Sequence, residues 1–423
     1  MVGEYQGKKS ARIVPVLLMA GLIAVLVIVF VVRLAIHHSE PPSASSSTER
    51  KSDDADARVQ VGAFLGSEQR GEVHEAVQEG PIEPAETNIP MKKLKKGAKP
   101  PQFVIFSFDG GAGHSHWKRF LDAAEVHDAR FVTFLTGLYL LGDTAQEAEV
   151  YHGPGHAPGV ASIGYGGSQQ EIVTQVEDLN EAYARGHEIG THYNGHFCAG
   201  HEPSGDDWSA SDWDDELDQF FAMMTDWKQM NGYDEDVVDL RVPADAVLGG
   251  RTPCLEGQWD QLVPAWKEHG LTYDSSIPAL VNGIAWPELK DGIWEFSMPY
   301  AYTPAFGMNT VMDYNFWVRF NGAVSRPETA PELRAKVREA YDYLYDQTYH
   351  GNRAPLLIAG HYNSWNGDSF NPPVADFMRE VCGEPDTYCA TYQDVIAWME
   401  LQDPAVLEKI LDQPAVAASE PAG

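Results

Sequence analysis

Basic residues are scarce in this chain. Its 423 residues carry 30 Lys and Arg against 62 Asp and Glu, a formal net charge of −32. A polyanion of that size repels phosphate backbones, which excludes nucleic acid as a partner but not a neutral sugar polymer. Cysteine is also sparse. The four residues Cys198, Cys254, Cys382 and Cys389 contain no close Cys-x-x-Cys pair, which argues against a zinc site built from them. An even count suits disulfides in an exported chain. Cys382 and Cys389 flank a turn-rich Gly-Glu-Pro-Asp and are expected to pair. Cys198 lies just after His196 and Cys254 just after Pro253, so a second pair can join two loops, with buried free thiols as the alternative. Aromatics are few between residues 37 and 100, and no internal repeat divides the chain.

What is present is arranged in blocks. Residues 13–32 are 20 uncharged apolar residues. At a rise of about 1.5 Å per residue they match a hydrocarbon core of about 30 Å. Lys8, Lys9 and Arg12 precede the run, which keeps the N-terminus cytoplasmic. A cleaved signal peptide has a shorter apolar stretch and a small-residue site close behind; Arg33, His37 and His38 follow instead, which points to an uncleaved anchor, with cleavage as the alternative. The expected organisation is a cytoplasmic tail over 1–12, a transmembrane signal anchor over 13–36 and a disordered linker over 37–100. A catalytic domain over 101–404 and a disordered tail over 405–423 follow. That makes a single-pass protein of the cell membrane, held through residues 13–32, with an extracytoplasmic C-terminal domain. The run Met91-Lys92-Lys93-Leu94-Lys95-Lys96 is a local basic patch at the linker's end.

Strand-like and helix-like segments alternate within the domain. Gln102–Phe108, Arg130–Leu135, Glu188–Thr191 and Pro355–Ala359 read as strands. Glu171–Ala184 has a helical apolar period, Ser211 is placed to cap a helix running to about Asn231, and Pro331–Tyr345 reads as a third helix. A strand–helix unit closes the pattern through Thr391–Leu401. This alternation predicts an α/β fold with a parallel sheet, open or closed into a barrel. Chemistry-bearing residues fall just after the predicted strands: Asp109, His192 and His361. Carboxyl ends of strands are where such folds gather their sites. His192 and His196 are four residues apart, a spacing that on a helix aligns two imidazoles for one metal ion. With Asp109 and Arg251 they supply the material of metal-assisted hydrolysis.

The order of these motifs resembles the polysaccharide deacetylases of carbohydrate esterase family 4. It runs strand-Phe108-Asp109, then His192-x-x-x-His196, then Arg251-Thr252-Pro253, then a strand ending in His361. Tyr273-Asp274-Ser275-Ser276, Gly292-Ile293-Trp294-Glu295 and Asn352-Arg353-Ala354-Pro355 are similar to the chitin deacetylase branch. The resemblance covers residues 101–403 and implies a distorted parallel β/α barrel. It further implies removal of N-acetyl groups from an amino-sugar polymer such as chitin or peptidoglycan, with a divalent metal, zinc as the expected ion. The implied roles are Asp109 as general base, Arg251 as its charge partner and His361 as general acid. The Cys254 N–H is the implied oxyanion donor, and His192 and His196 the metal ligands. Trp294, Tyr362 and Trp365, with Tyr314 and Trp317, are candidates to stack on sugar rings.

One position departs from the pattern. The family reads Phe-Asp-Asp-Gly where this chain has Phe108-Asp109-Gly110-Gly111, so the metal-binding Asp is replaced by Gly110. Water can fill the vacancy, His114 or His116 can supply a third ligand, or Asp109 can ligate while another group acts as base. The remaining alternative is a catalytically inactive, carbohydrate-binding domain on a membrane stalk.

Overall fold

The structure is a computed structural model of the chain, and it describes residues 80–144, 148–234 and 236–421. The expected anchor over 13–36 and most of the expected linker lie outside the described residues. Among the described residues no helix is long and apolar enough to cross a membrane.

The first strand, β1 (Gln102–Gly110), is buried from Gln102 through Asp109. That is the pattern of a parallel strand covered on both faces. It pairs in parallel with β2 (Phe131–Leu135) on one side and with β10 (Leu356–His361) on the other. From β2 the sheet continues through β3 (Glu188–Thr191), β4 (Gly249–Gly250), β5 (Tyr273–Asp274) and β7 (Ile293–Glu295), all parallel. Beyond β7 lies β6 (Glu288–Lys290), which is antiparallel. The turn joining them, Asp291-Gly292, has φ of 51° and 84°, the left-handed pair that a two-residue hairpin requires. A short β11 (Thr387–Cys389) also pairs with β1, and β8 (Tyr300–Thr303) with β9 (Gly307–Thr310) forms a separate hairpin.

The sheet is curled. β1 and β4 are three strand positions apart, roughly 14 Å on a flat sheet with spacing near 4.8 Å. Yet Arg251, the residue after β4, reaches Asp109 of β1 at 2.8 Å. A single side chain can span that gap only if the sheet wraps around it. The edge strands β10 and β6 do not pair with each other, so the expected barrel is an open, curled sheet. The two-residue strands β4 and β5 are too short to carry a ladder further round.

Helices cover the outside of the sheet. They are α1 (His114–Glu125), α2 (Gln169–Ala184), α3 (Ala210–Asn231), α4 (Trp259–Glu268), α5 (Asp313–Asn321), α6 (Ala330–His350), α7 (Asn371–Val381), α8 (Tyr392–Leu401) and α9 (Pro404–Leu411). Ser168 and Glu171 form a reciprocal cap at the start of α2. The cap of α3 is Ser209 and not Ser211. Asp212, three residues after Ser209, accepts both its N–H at 2.8 Å and its hydroxyl at 2.7 Å, an arrangement Ser211 cannot make.

Both expected domain ends shift outward. Asn88 donates to the carbonyls of Asp128 and Cys389, Ile89 is buried, and the Leu94 N–H meets Gln402. Within the basic patch, Lys93 pairs with Asp403. At the other end α9 continues the fold, and Val416 bridges to Ile284. The segments 80–100 and 405–421 are therefore packed parts of the domain. Ile89, Leu94, Leu407, Ile410 and Val416 pack against the core, which composition averaged over the segment conceals.

Candidate active site

The carboxyl ends of β1, β3, β4 and β10 open into one cleft of about 830 Å³, lined by Asp109, Gly110, His116, Tyr139, His192, His196, Cys254, His361, Tyr362 and Trp365 among others. Asp109 and His361 are register partners across β1 and β10, so their side chains leave the sheet on the same face. His361 Nε2 lies 3.9 Å from Asp109 Oδ2. On its other oxygen Asp109 accepts the Arg251 guanidinium at 2.8 Å, and Arg251 is wholly buried. The remaining Arg251 donors go to Ser275 O, Ser275 Oγ, Ser107 Oγ and the Tyr392 hydroxyl.

These surroundings push the two acid–base groups in opposite directions. Burial alone would raise the Asp109 carboxyl, but the charges of Arg251 and His361 and the Arg251 hydrogen bond outweigh it and hold it below its ordinary value. Burial would lower His361, yet the Asp313 carboxylate overrides it and holds the imidazole above its ordinary value. Asp313, in the first turn of α5, is the residue the sequence reading missed. Its Oδ1 takes His361 Nδ1 at 2.8 Å, and its Oδ2 takes the His361 N–H and Asn363 Nδ2, both at 2.9 Å. It lies 48 residues before His361, and nothing local in the sequence announces the pairing.

His192 and His196 meet by a route other than the expected one. The segment after β3 is a loop, not a helix, with φ of 55° at both Tyr193 and His196. Left-handed backbone at non-glycine residues costs on the order of 1–3 kcal/mol each and persists where the surroundings enforce it. Here the enforcing group is Glu216 of α3, fully buried, whose Oε1 accepts the N–H groups of Asn194 and Gly195 at 3.0 Å each. Tyr151 donates its hydroxyl to the same carboxylate. Burial pushes Glu216 up to about 7 despite these donors. Replacing it with Ala strands three buried donors, worth about 1–3 kcal/mol apiece. Urea unfolding of Glu216→Ala is expected to show a loss of roughly 3 kcal/mol or more. A midpoint within experimental error of wild type would remove Glu216 from this role.

The imidazole rings of His192 and His196 are 5.3 Å apart between centroids. His192 Nδ1 hydrogen-bonds the Arg251 carbonyl at 2.8 Å, so Nδ1 carries the proton and Nε2 the lone pair. That Nε2 is buried with no hydrogen-bond partner. An orphaned buried nitrogen fixed in this tautomer fits a metal ligand, and burial pushes His192 down to about 3, keeping it neutral. The fit stops at two imidazoles. His114 turns away to Asp178 of α2, at 2.8 Å, with most of its side chain exposed. His116 lines the cleft and packs near Tyr362, but joins no cluster of three metal-binding atoms. Among the described residues the one such cluster is His196, Cys198 and Cys254, and both sulfurs are tied up in the Cys198–Cys254 disulfide. The second expected disulfide, Cys382–Cys389, is also formed.

The departure at Gly110 is built into the backbone. Gly110 has φ +96°, a region side chains rarely adopt, and an added Cβ would meet the Tyr139 ring at 3.4 Å. Tyr139 thus stands over the position where the resemblance implies an Asp.

The turn after Arg251 is held from below. Asp274 accepts the Ser276 hydroxyl at 2.6 Å, and Ser276 Oγ accepts the Thr252 N–H at 2.7 Å. This line fixes Thr252-Pro253-Cys254 at the cleft's edge, with Cys254 at φ +56°. Of the aromatic candidates, Tyr362 and Trp365 line the cleft, and so does Tyr314. Tyr362 is anchored through its hydroxyl to Thr133 at 2.8 Å, while Trp365 lies against His361 and Trp317. Trp294 is not at the cleft. It is buried on the outer face of β7, where its indole N–H donates to Glu400 of α8 at 3.0 Å. Strand alternation turns Glu295 to the other face and leaves Trp294 in the core.

No family model and no curated protein matches the sequence. Solved structures do resemble it. One is a Mycobacterium smegmatis chain described as a polysaccharide deacetylase, at 15% identity and TM-score 0.40, covering 81% of this chain and 100% of that one. Another is a family 4 carbohydrate esterase from Streptomyces lividans in complex with acetate, at 11% identity and TM-score 0.34, covering 68% and 91%. A third is an allantoinase, at 12% identity and TM-score 0.41, covering 74% and 98%. At these identities and TM-scores the likenesses carry no argument of their own, and the chemistry of the cleft rests on the residues of this chain.

Proposed function

We propose that this chain is a hydrolase that removes N-acetyl groups from an amino-sugar polymer, chitin-like or peptidoglycan, outside the cytoplasm. The observation that carries the reading is the pair Asp109 and His361. They share one cleft, with the carboxylate held below its ordinary pKa and the imidazole above it. A carboxylate and an imidazolium side by side are a base and an acid ready in the states hydrolysis consumes. Asp109 takes the proton of the attacking water. Arg251 keeps that carboxylate ionised and aimed. His361, oriented by Asp313, gives its proton to the departing amine. The N–H of Cys254, on a turn fixed by Ser276, faces the developing oxyanion. His192 and His196 would hold a divalent metal, zinc on their ligand type, which when bound supplies polarisation of the acetyl carbonyl and a more acidic water. Tyr362 and Trp365 give the sugar an aromatic wall, and residues 13–32 would tie the domain to a membrane.

A second reading has one specific observation in its favour. With glycine at 110 and Tyr139 over it, only two imidazoles are in place, and two ligands hold a metal more weakly than three. On that reading the domain binds sugar without turnover. Acetate release from N-acetylglucosamine oligomers and from peptidoglycan decides between them. Measurable release by wild type that falls by at least about 10²-fold in both Asp109→Asn and His361→Ala supports the hydrolase. Binding of the oligomer with no release, or release unchanged in both variants, sinks it.

A further inference from the structure

The Cys198–Cys254 disulfide joins the loop after His196 to the turn after Arg251, across 56 residues of sequence. It stands at the mouth of the cleft: His196 and Cys254 line it, and Cys254 is exposed. His196 Nδ1 lies 3.5 Å from Cys198 Sγ, and the donor atoms of His196, Cys198 and Cys254 all fall within 4.8 Å of one another. As a disulfide the two sulfurs are poor ligands. As thiolates they are among the strongest that proteins offer to zinc.

We propose that opening this disulfide creates a second, thiolate-type metal site, in which His196, Cys198 and Cys254 hold one zinc-class cation at the cleft mouth. The opening takes two electrons and two protons from a small dithiol. The Cys198–Cys254 bond breaks, both sulfurs leave as thiols, and the dithiol's sulfurs join to each other. Each cysteine thiol then releases its proton as it meets the cation. Tetrahedral zinc, with bonds of about 2.3 Å to sulfur and about 2.0–2.1 Å to nitrogen, sets nitrogen and sulfur roughly 3.5 Å apart and the two sulfurs roughly 3.8 Å apart. The first separation is the one His196 and Cys198 already have. The second requires the freed sulfurs to part by roughly 1.8 Å, and the exposed Cys254 can do so without displacing core. One histidine and two cysteines leave the fourth position for water, the open set of catalytic zinc sites.

His196 belongs to this set and also to the His192–His196 pair. Reduction therefore changes the ligands at the cleft from two imidazoles to one imidazole and two thiolates, a softer set that favours zinc and other thiophilic ions. The proposal does not depend on the hydrolase reading, because it concerns donors and not turnover.

Cobalt(II) binding to the full chain tests it, since thiolate ligation gives sulfur-to-cobalt charge-transfer absorption that imidazole ligation does not. The chain is reduced with a dithiol, desalted without oxygen and titrated with cobalt(II). The expected result is a charge-transfer band saturating at one cobalt per chain, absent from the oxidised chain and displaced by zinc. The band is expected to vanish in Cys198→Ser and in Cys254→Ser. It should survive in the double variant Cys382→Ser, Cys389→Ser and in His192→Ala, and weaken at least tenfold in affinity in His196→Ala. No band in a reduced chain with intact near-ultraviolet dichroism overturns the proposal. A band that follows Cys382 and Cys389, or that needs His192, overturns the assignment of ligands. Should Cys198→Ser and Cys254→Ser fail to fold, the double variant Cys382→Ser, Cys389→Ser decides in their place, because after reduction its thiols are those of Cys198 and Cys254 alone.

Discussion

For the hydrolase proposed above, Asp313→Asn is expected to lower the rate of acetate release by about 10²- to 10⁴-fold and to move the alkaline limb of its pH profile toward lower pH. In the native chain Asp313 Oδ1 holds His361 Nδ1 at 2.8 Å and counters the burial that would otherwise depress the imidazole. The sign follows from which form works. A general acid must be protonated, so turnover falls as pH rises through the folded pKa of His361, which lies above the ordinary 6.5. With a neutral amide at 313, burial and the Arg251 charge lower the imidazole. The protonated fraction near neutrality then drops, and the limb moves to lower pH. The acid limb, set by Asp109 below its ordinary 3.8, should stay where it is, because Arg251 still faces that carboxylate. An amide can also turn its NH₂ toward Nδ1 and favour the wrong tautomer, which deepens the rate loss without moving either limb. Pre-steady-state or steady-state rates from about pH 2 to about pH 9 separate the effects. A variant slowed with both limbs unmoved would leave Asp313 as a tautomer holder only. A variant with wild-type rate would remove it from the mechanism.

The parts of this site that could be read from sequence are those where one residue type, one strand end and one spacing coincide. Asp109 follows a mostly apolar run, His361 follows another, and both stand at the strand ends those runs predicted. His192 and His196 were legible as a pair through their separation, but their local conformation was not. A spacing of four suits a helix, yet the chain uses a left-handed loop locked by Glu216, a residue 20 positions beyond His196 whose helical neighbours give no sign of its task. The same holds for Asp313, which acts across 48 residues. Aromatic roles were read poorly because an indole looks the same on either face of a strand. Trp294 turned out to face α8, while Trp365 faces the cleft. The open sheet was also hidden, since strands of two residues such as β4 and β5 leave no periodic trace. What sequence did expose at Gly110 was an absence, and the structure supplies its physical counterpart. The positive φ favours glycine there, while the Tyr139 ring, 3.4 Å from where a Cβ would stand, leaves it room.

Removing the Arg251 charge should be strongly destabilising, and it should reverse the sign of Asp109's own contribution to the chain's response to pH. Arg251 and Asp109 are a buried ion pair at 2.8 Å, with side-chain exposures of 0% and 2%. Breaking such a pair strands a charge in the interior at a cost of about 3–5 kcal/mol. In the native chain the folded pKa of Asp109 is depressed. Its contribution is therefore present above the unfolded value of 3.8 and is lost as pH falls through the folded one. In Arg251→Met, burial, already the largest influence on Asp109, loses its chief opponent, and the carboxyl moves upward. The folded state then prefers the protonated acid, so relative to wild type the variant loses stability as pH rises above about 4, where the Asp109 of wild type keeps its contribution. Urea unfolding at pH 4 and pH 7 measures both slopes. The double variant Asp109→Asn, Arg251→Met removes the stranded charge as well, and it is expected to recover most of the loss and to remove the extra pH dependence that Arg251→Met shows over wild type. Ser107, Ser275 and Tyr392 need not follow Arg251 into deficit. The Tyr392 hydroxyl already lies 3.0 Å from Ser275 Oγ and 3.3 Å from Ser107 Oγ, so these groups can satisfy one another once the guanidinium is gone. Recovery in the double variant would locate the damage in one uncompensated carboxylate. A double variant as unstable as Arg251→Met would instead mean that the guanidinium's bonds to Ser107, Ser275 and Tyr392, and not its charge, hold the curled sheet around the site.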